Sequence, residues 1–101
     1  MTFTVPADHP ALPGHFPGRP VVPGVVVLDH VLAAIERVHG PDHAPLGPLR
    51  LPQVKFVRPL LPGETARIEL DALVPAADGA PRWRFRVLCG DAPVATGEVQ
   101  A

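Results

Sequence analysis

Apolar residues crowd the segment from Val21 to Val38, then fall into alternation with polar ones from about Leu49 onward. The first pattern predicts a helix over residues 23–39. Pro23 suits a first helical turn, where its missing N–H is no loss, and Gly40-Pro41 supplies a stop. Val25, Val26, Val27, Leu28, Val31, Leu32, Ala33, Ala34, Ile35 and Val38 leave few polar positions inside it. That reads as a helix buried on every side, with Glu36, Arg37 and His39 reaching solvent at the far end. Val25 to Val27 alone would suit a strand; length and caps decide for a helix.

The second pattern has a period of two. Val54 and Phe56 share a face opposite Lys55 and Val57. Ala66, Ile68, Leu70 and Ala72 alternate with Arg67, Glu69 and Asp71, and Trp83, Phe85 and Val87 alternate with Arg82, Arg84 and Arg86. A last strand spans residues 94–99, and residues 2–5 could form a short first one. Pro62-Gly63 and Gly90-Asp91 mark reversals, so the segments read as antiparallel hairpins. One helix and about four or five antiparallel strands make an α+β domain, with one curved sheet covering the helix.

At 101 residues the chain is expected to be one domain over residues 1–101. A domain this small hides roughly 60–65% of its unfolded surface, so a partner subunit would help complete the core. The fifteen prolines do not signal disorder, because hydrophobic residues make up 47% of the chain and the prolines punctuate periodic segments. A net charge of −1 argues against nucleic acid as a partner. One cysteine, Cys89, cannot form an internal disulfide, and it reads as a small core residue. The N-terminus lacks the features of a signal peptide and no apolar run is long enough to cross a bilayer, so a cytoplasmic protein is expected. His39 and His43 flank the helix-breaking Gly40-Pro41, so no metal site is expected.

The chemistry concentrates in Gly14-His15-Phe16-Pro17-Gly18-Arg19-Pro20-Val21-Val22-Pro23-Gly24 and the helix that follows. The prolines stiffen this stretch and the glycines permit close approach. His15 is a candidate general base, or else a loop histidine in water. Asp29 falls about one and a half turns into the helix. Burial there would raise its pKa and suit it to general-acid work; otherwise it faces a gap or pairs with His30 or Arg37. Gly24 opens the helix, where free N–H groups could stabilise a developing oxyanion, or it only turns the chain. A base, an acid and an oxyanion site are what removing a proton beside a carbonyl and expelling a β-hydroxyl require.

His15 to Val25, followed by Asp29, closely resembles the β-hydroxyacyl-acyl carrier protein dehydratases, and Val54-Lys55-Phe56-Val57-Arg58-Pro59-Leu60-Leu61-Pro62-Gly63 resembles the strand after the helix in that family. The resemblance implies the hot-dog fold, one long buried helix wrapped by a curved antiparallel sheet. It implies catalytic roles for His15 and Asp29, and substrate binding with an oxyanion-stabilising N–H at Gly24, beside Phe16 and Val25. It implies no cofactor, an acyl carrier protein as partner, and a homodimer or heterodimer in which His15 and Asp29 come from different subunits. The compact length resembles the small dehydratases of polyene and other specialised acyl pathways. Where the family usually carries a glutamine one turn after the acid, this chain has Ala33. A hot-dog thioesterase and a non-catalytic subunit of a heterodimer are the alternatives. Arg82, Arg84 and Arg86 read as a solvated strand face which, with Arg19, Lys55 or Arg58, could attract an acidic carrier.

Overall fold

The computed structural model describes residues 1–6, 8, 21–40 and 47–101. Its elements are β1 (Thr2–Thr4), α1 (Gly24–His39), β2 (Arg50–Phe56), β3 (Thr65–Ala72), β4 (Arg82–Cys89) and β5 (Ala92–Gln100). The strands form one antiparallel five-stranded sheet in the order β1-β3-β4-β5-β2. The two edges are therefore β1 and β2, the strands farthest apart in space although only the helix separates them in sequence.

The helix begins where the sequence places it. The Pro23 carbonyl accepts from the N–H groups of Val26 and Val27 at 3.0 and 3.3 Å. At the other end Gly40 adopts φ 81° and its N–H donates to the Glu36 carbonyl, with Arg37 and His39 in the last turn complementing the negative end of the dipole. The valines of the first turn are poor helix formers in isolation, and tertiary burial overrides that preference.

Val26, Val27, Val31, Ala34 and Ile35 form the buried side of α1. They join Phe3, Ala66, Ile68, Trp83, Phe85, Val87, Val94, Ala95 and Val99 from the sheet, and Val5, Val22 and Leu60 from the connections. The period-two pattern is obeyed in β4, whose inward residues are buried, whereas Phe56, expected to share an inner face with Val54, is 50% exposed at the end of edge strand β2; no polar or charged side chain is buried among the described residues.

Burial of the helix on all sides does not hold. Val25, Asp29 and Ala33 are exposed, one turn apart on a single face, and Val38 is exposed near the C-terminal end. One sheet covers one side of a helix, and in the single chain nothing described covers the other. Cys89 packs against the margin of the core without being fully buried: it is half-buried at the end of β4, with its thiol donating to Glu64.

The polar face of the sheet is laced with ion pairs. Glu98 on β5 is 3.3 Å from Arg82 and 3.7 Å from Arg84 on β4, while Glu69 on β3 pairs with Arg67 and Arg86. Arg84 and Arg86 remain solvent-facing, as the alternation predicts, but each carboxylate holds two guanidinium groups in place.

Candidate functional site

The chain entering α1 is tied to the far end of the sheet. The Val22 N–H donates to the Leu60 carbonyl at 2.8 Å, and the Val57 N–H donates to the Val94 carbonyl at 2.8 Å. These two bonds hold the start of the helix beside the segment that leaves β2. Between them lies a cavity of about 410 Å³, lined chiefly by Val21, Val22, Val27, Phe56, Leu60 and Val94. Gly24 also lines it, and so does Arg58, the only charged residue on the described wall. Helical geometry leaves the N–H groups of Gly24 and Val25, ahead of those bonded to the Pro23 carbonyl, without intrahelical acceptors, so the cavity wall carries partial positive charge at Gly24.

Gly24 lies under the ring of Phe56. A Cβ there would lie 2.7 Å from Cζ of Phe56, whose half-exposed ring rests against the helix start. The ring thus approaches the backbone as closely as a residue without a side chain permits.

Of the residues singled out from the sequence, Gly24 is in the cavity wall. Val25 and Asp29 are not; both sit on the exposed helix face. The burial expected for Asp29 is absent from the single chain, because the residues one turn away on its face, Val25 and Ala33, also point away from the sheet. The alternative partners are also not used. His30 stacks on Phe3 with ring centroids 4.1 Å apart, and among the described residues Asp29 makes no ion pair with it or with Arg37. His15, Phe16, Arg19 and His43 lie outside the described residues.

Sequence reasoning noted the Val54–Gly63 stretch as a strand motif but gave Phe56 and Leu60 no part in the site, and Arg58 only a share in attracting an acidic carrier. The available signal was Arg58 itself, a charge placed among Phe56, Val57, Leu60 and Leu61.

Arg58 rests against an ordered carboxylate. Its Nη2 is 3.6 Å from Oε2 of Glu64. The Leu61 N–H donates to Oε1 of Glu64 at 2.8 Å, and the Cys89 thiol donates to Oε2 at 3.4 Å. The Leu61 N–H is the main influence holding the Glu64 carboxyl below the usual glutamate range, helped by the thiol and by Arg58 against some desolvation. Desolvation first, then the Glu64 carboxylate, push the Cys89 thiol above its usual range.

A depressed carboxylate stabilises the fold above its unfolded-state pKa, and the contribution is lost as pH falls through the folded-state value. Glu64→Gln keeps an acceptor for Leu61 but no charge. Wild type should therefore be more stable than Glu64→Gln at neutral pH, with the gap closing below about pH 4. Urea midpoints measured for both proteins across that range check this. A gap that stays constant in acid would show that the charge contributes nothing.

The model of the ApeI-like family, described as ApeI dehydratase, matches residues 1–98. A 3-hydroxyacyl-[acyl-carrier-protein] dehydratase FabZ of Desulforamulus reducens is 39% identical over 75 residues, covering 68% of this chain and 51% of that protein. The FabZ of Symbiobacterium thermophilum is 34% identical over 71 residues, covering 66% of this chain and 50% of that protein. The chain thus spans about half the length of these curated relatives.

Among solved structures, the fluoroacetyl-CoA thioesterase FlK superposes with a TM-score of 0.75 at 18% identity, over 99% of this chain and 79% of that one. The dehydratase heterocomplex ApeI:P from Xenorhabdus doucetiae gives a TM-score of 0.64 at 23% identity, over 98% of this chain and 81% of that one. At such identities the likeness shows the architecture alone, and that architecture is the hot-dog fold.

Proposed function

The chain belongs to the ApeI-like dehydratase family, and from that premise we propose that it removes water from a 3-hydroxyacyl thioester on an acyl carrier protein, giving a trans-2-enoyl thioester. The observation that carries this reading is the apolar cavity of about 410 Å³ that ends on the helix start at Gly24, which offers room for an acyl chain and positive charge for its carbonyl. FabZ relatives named for this reaction support it. Fatty-acid, polyene or related acyl biosynthesis in the cytoplasm is its setting. Among the described residues no helix is long and apolar enough to cross a membrane.

In this reading His15 takes the proton from C2. The Gly24 N–H stabilises the oxygen of the enolate-like intermediate. Asp29, protonated at the start, gives its proton to the β-hydroxyl, which leaves as water. Phe16 and Val25 border the bound substrate. The C2 proton is then on His15, and passing it to Asp29 restores the starting state.

Val25 is 65% exposed on the same helix face as Asp29, while Phe56 and Val57, each 50% exposed, sit at the end of edge strand β2. A second hot-dog chain, a copy of this one or a related one, covers these surfaces and brings its His15 to Asp29. Asp29 then becomes the buried acid that it is not in the single chain.

The test follows the mass of a 3-hydroxyacyl carrier protein incubated with wild type and with His15→Ala. Loss of one water by wild type, slowed at least about a hundredfold in the variant, is expected. Equal turnover by the two proteins removes His15 as the base. Release of free acid and carrier thiol would instead make the protein a thioesterase.

A further inference from the structure

We propose that a second cavity, between α1 and the β1 edge of the sheet, binds a short monocarboxylate, with Arg37 and His30 holding the carboxylate group. This cavity is separate from the one at Gly24, with which it shares no lining residue.

The cavity measures about 350 Å³, at the small end of ligand sites. Its helix side is His30, Ala33, Ala34 and Arg37, which their spacing puts on one helix face. Phe3 of β1 and Ile68 of β3 form its sheet side. The Ile68 N–H donates to the Met1 carbonyl at 2.7 Å, which fixes the strand end beside the cavity. Alanine at both middle positions of the helix face keeps the space open. Because β1 and β2 are opposite edges of the sheet, a second chain seated at β2 leaves the β1 side of the cavity to solvent.

Both basic side chains suit an anion. The His30 ring lies 8° from parallel on Phe3 with centroids 4.1 Å apart, and both residues line the cavity, so the stack holds the imidazole at its wall. Arg37 is exposed and makes no ion pair among the described residues, whereas Arg58, Arg67, Arg82, Arg84 and Arg86 each pair with a glutamate. No acidic residue lines the cavity among the described residues. A guanidinium fork binds a carboxylate through two parallel charge-assisted bonds, and an imidazole N–H adds a third. Phe3, Ala33, Ala34 and Ile68 then receive a short apolar body. One guanidinium above an apolar floor matches a single negative charge better than the two of a phosphate dianion. The ligand class is that of an acyl chain released from its thioester.

The experiment titrates hexanoate into the isotope-labelled protein and follows the amide shifts by NMR, with hexan-1-ol and inorganic phosphate as comparisons. Wild type should bind hexanoate roughly tenfold or more tightly than hexan-1-ol, which has the same body and no charge. Arg37→Met keeps an apolar stem without the charge and should bring that ratio close to one. His30→Phe keeps the stack on Phe3 without the N–H and should lower the ratio part of the way. Ala33→Leu fills the cavity from an exposed position and leaves both basic groups, so it should weaken hexanoate and hexan-1-ol alike. Because each ratio compares two ligands on one protein, a general folding defect moves both ligands together and leaves it unchanged.

Equal affinity of wild type for hexanoate and hexan-1-ol, or an Arg37→Met ratio as large as that of wild type, overturns the assignment. Phosphate that binds as tightly as hexanoate overturns it too, by making the site one for any anion. An unchanged ratio in His30→Phe removes His30 from the site, and unchanged hexanoate affinity in Ala33→Leu places the acid outside this cavity. None of these measurements needs turnover. A protein that removes water but ignores hexanoate defeats only this inference, and one that binds hexanoate but releases no water defeats only the dehydratase reading.

Discussion

Changing Asp29 to asparagine is expected to slow water loss from a 3-hydroxyacyl carrier protein by about 10²–10⁴-fold, the usual contribution of a positioned acid or base. Asparagine keeps the shape and the hydrogen-bonding capacity of the side chain but supplies no transferable proton. Asp29 makes no ion pair among the described residues, so the helix loses no contact of its own and the circular-dichroism melt should stay close to that of wild type.

The sharper measurement mixes two dead proteins. If His15 and Asp29 meet across an interface, a dimer of a His15→Ala chain with an Asp29→Asn chain contains one site with both groups intact and one with neither. Random re-pairing of equal amounts should then restore roughly a quarter of wild-type activity. If the two residues met within one chain, every site in the mixture would lack one of them, and activity would stay at the level of the separate variants. Recovery therefore decides where the acid finds its base, and an Asp29→Asn protein that turns over like wild type would remove Asp29 from the chemistry.

The largest loss of stability is expected from Gly97→Ala on β5. Gly97 pairs with Phe85 on β4 and Val54 on β2. A Cβ built there would lie 2.3 Å from the Gln53 carbonyl oxygen and 2.8 Å from Cε1 and Cζ of Phe85. Neither neighbour can yield cheaply. The Gln53 carbonyl belongs to the β2 backbone just after the irregularity between Arg50 and Gln53, and Phe85 is fully buried in the core. Overpacking of this kind costs about 3 kcal/mol or more, the upper part of the usual range. For a chain of this size that lowers the melting temperature by roughly 12 °C or more. The double variant Gly97→Ala/Phe85→Leu relieves the ring contact but not the carbonyl, so it should not recover. A Gly97→Ala midpoint indistinguishable from wild type would show that β2 and β5 separate without cost. At Gly24 the comparable obstruction is the end of a half-exposed ring, which can turn aside.

Much of the architecture was legible because it depends on local pattern. Pro23 and Gly40 bracket α1, and the alternation through Trp83, Phe85 and Val87 placed those residues in the core, where they are. The paired ladders could not be read in the same way. That β1 lies beside β3 and β2 beside β5, on opposite edges, follows from how the sheet closes over the helix and not from any neighbour in sequence. The candidate site was legible in its types and less so in its places. Gly24 is in the cavity, whereas Asp29, expected to be buried because its helix is rich in valine and alanine, is on the face the sheet leaves open. Composition reports that a helix has apolar surface on all sides. It does not report whether the second covering comes from the same chain.

By itself the sequence determined one helix, an antiparallel sheet, and a motif with a histidine, a helix-start glycine and an aspartate at fixed separations. Those properties follow from dihedral preferences, period and residue type, all of which act over a few positions. Only the tertiary structure decided that Gly24, Phe56 and Arg58 share one cavity, that Glu64 and Cys89 stand behind Arg58, and that Asp29 faces outward from the single chain. These are meetings between residues far apart in sequence, set by strand order and by the limited area one small sheet can cover.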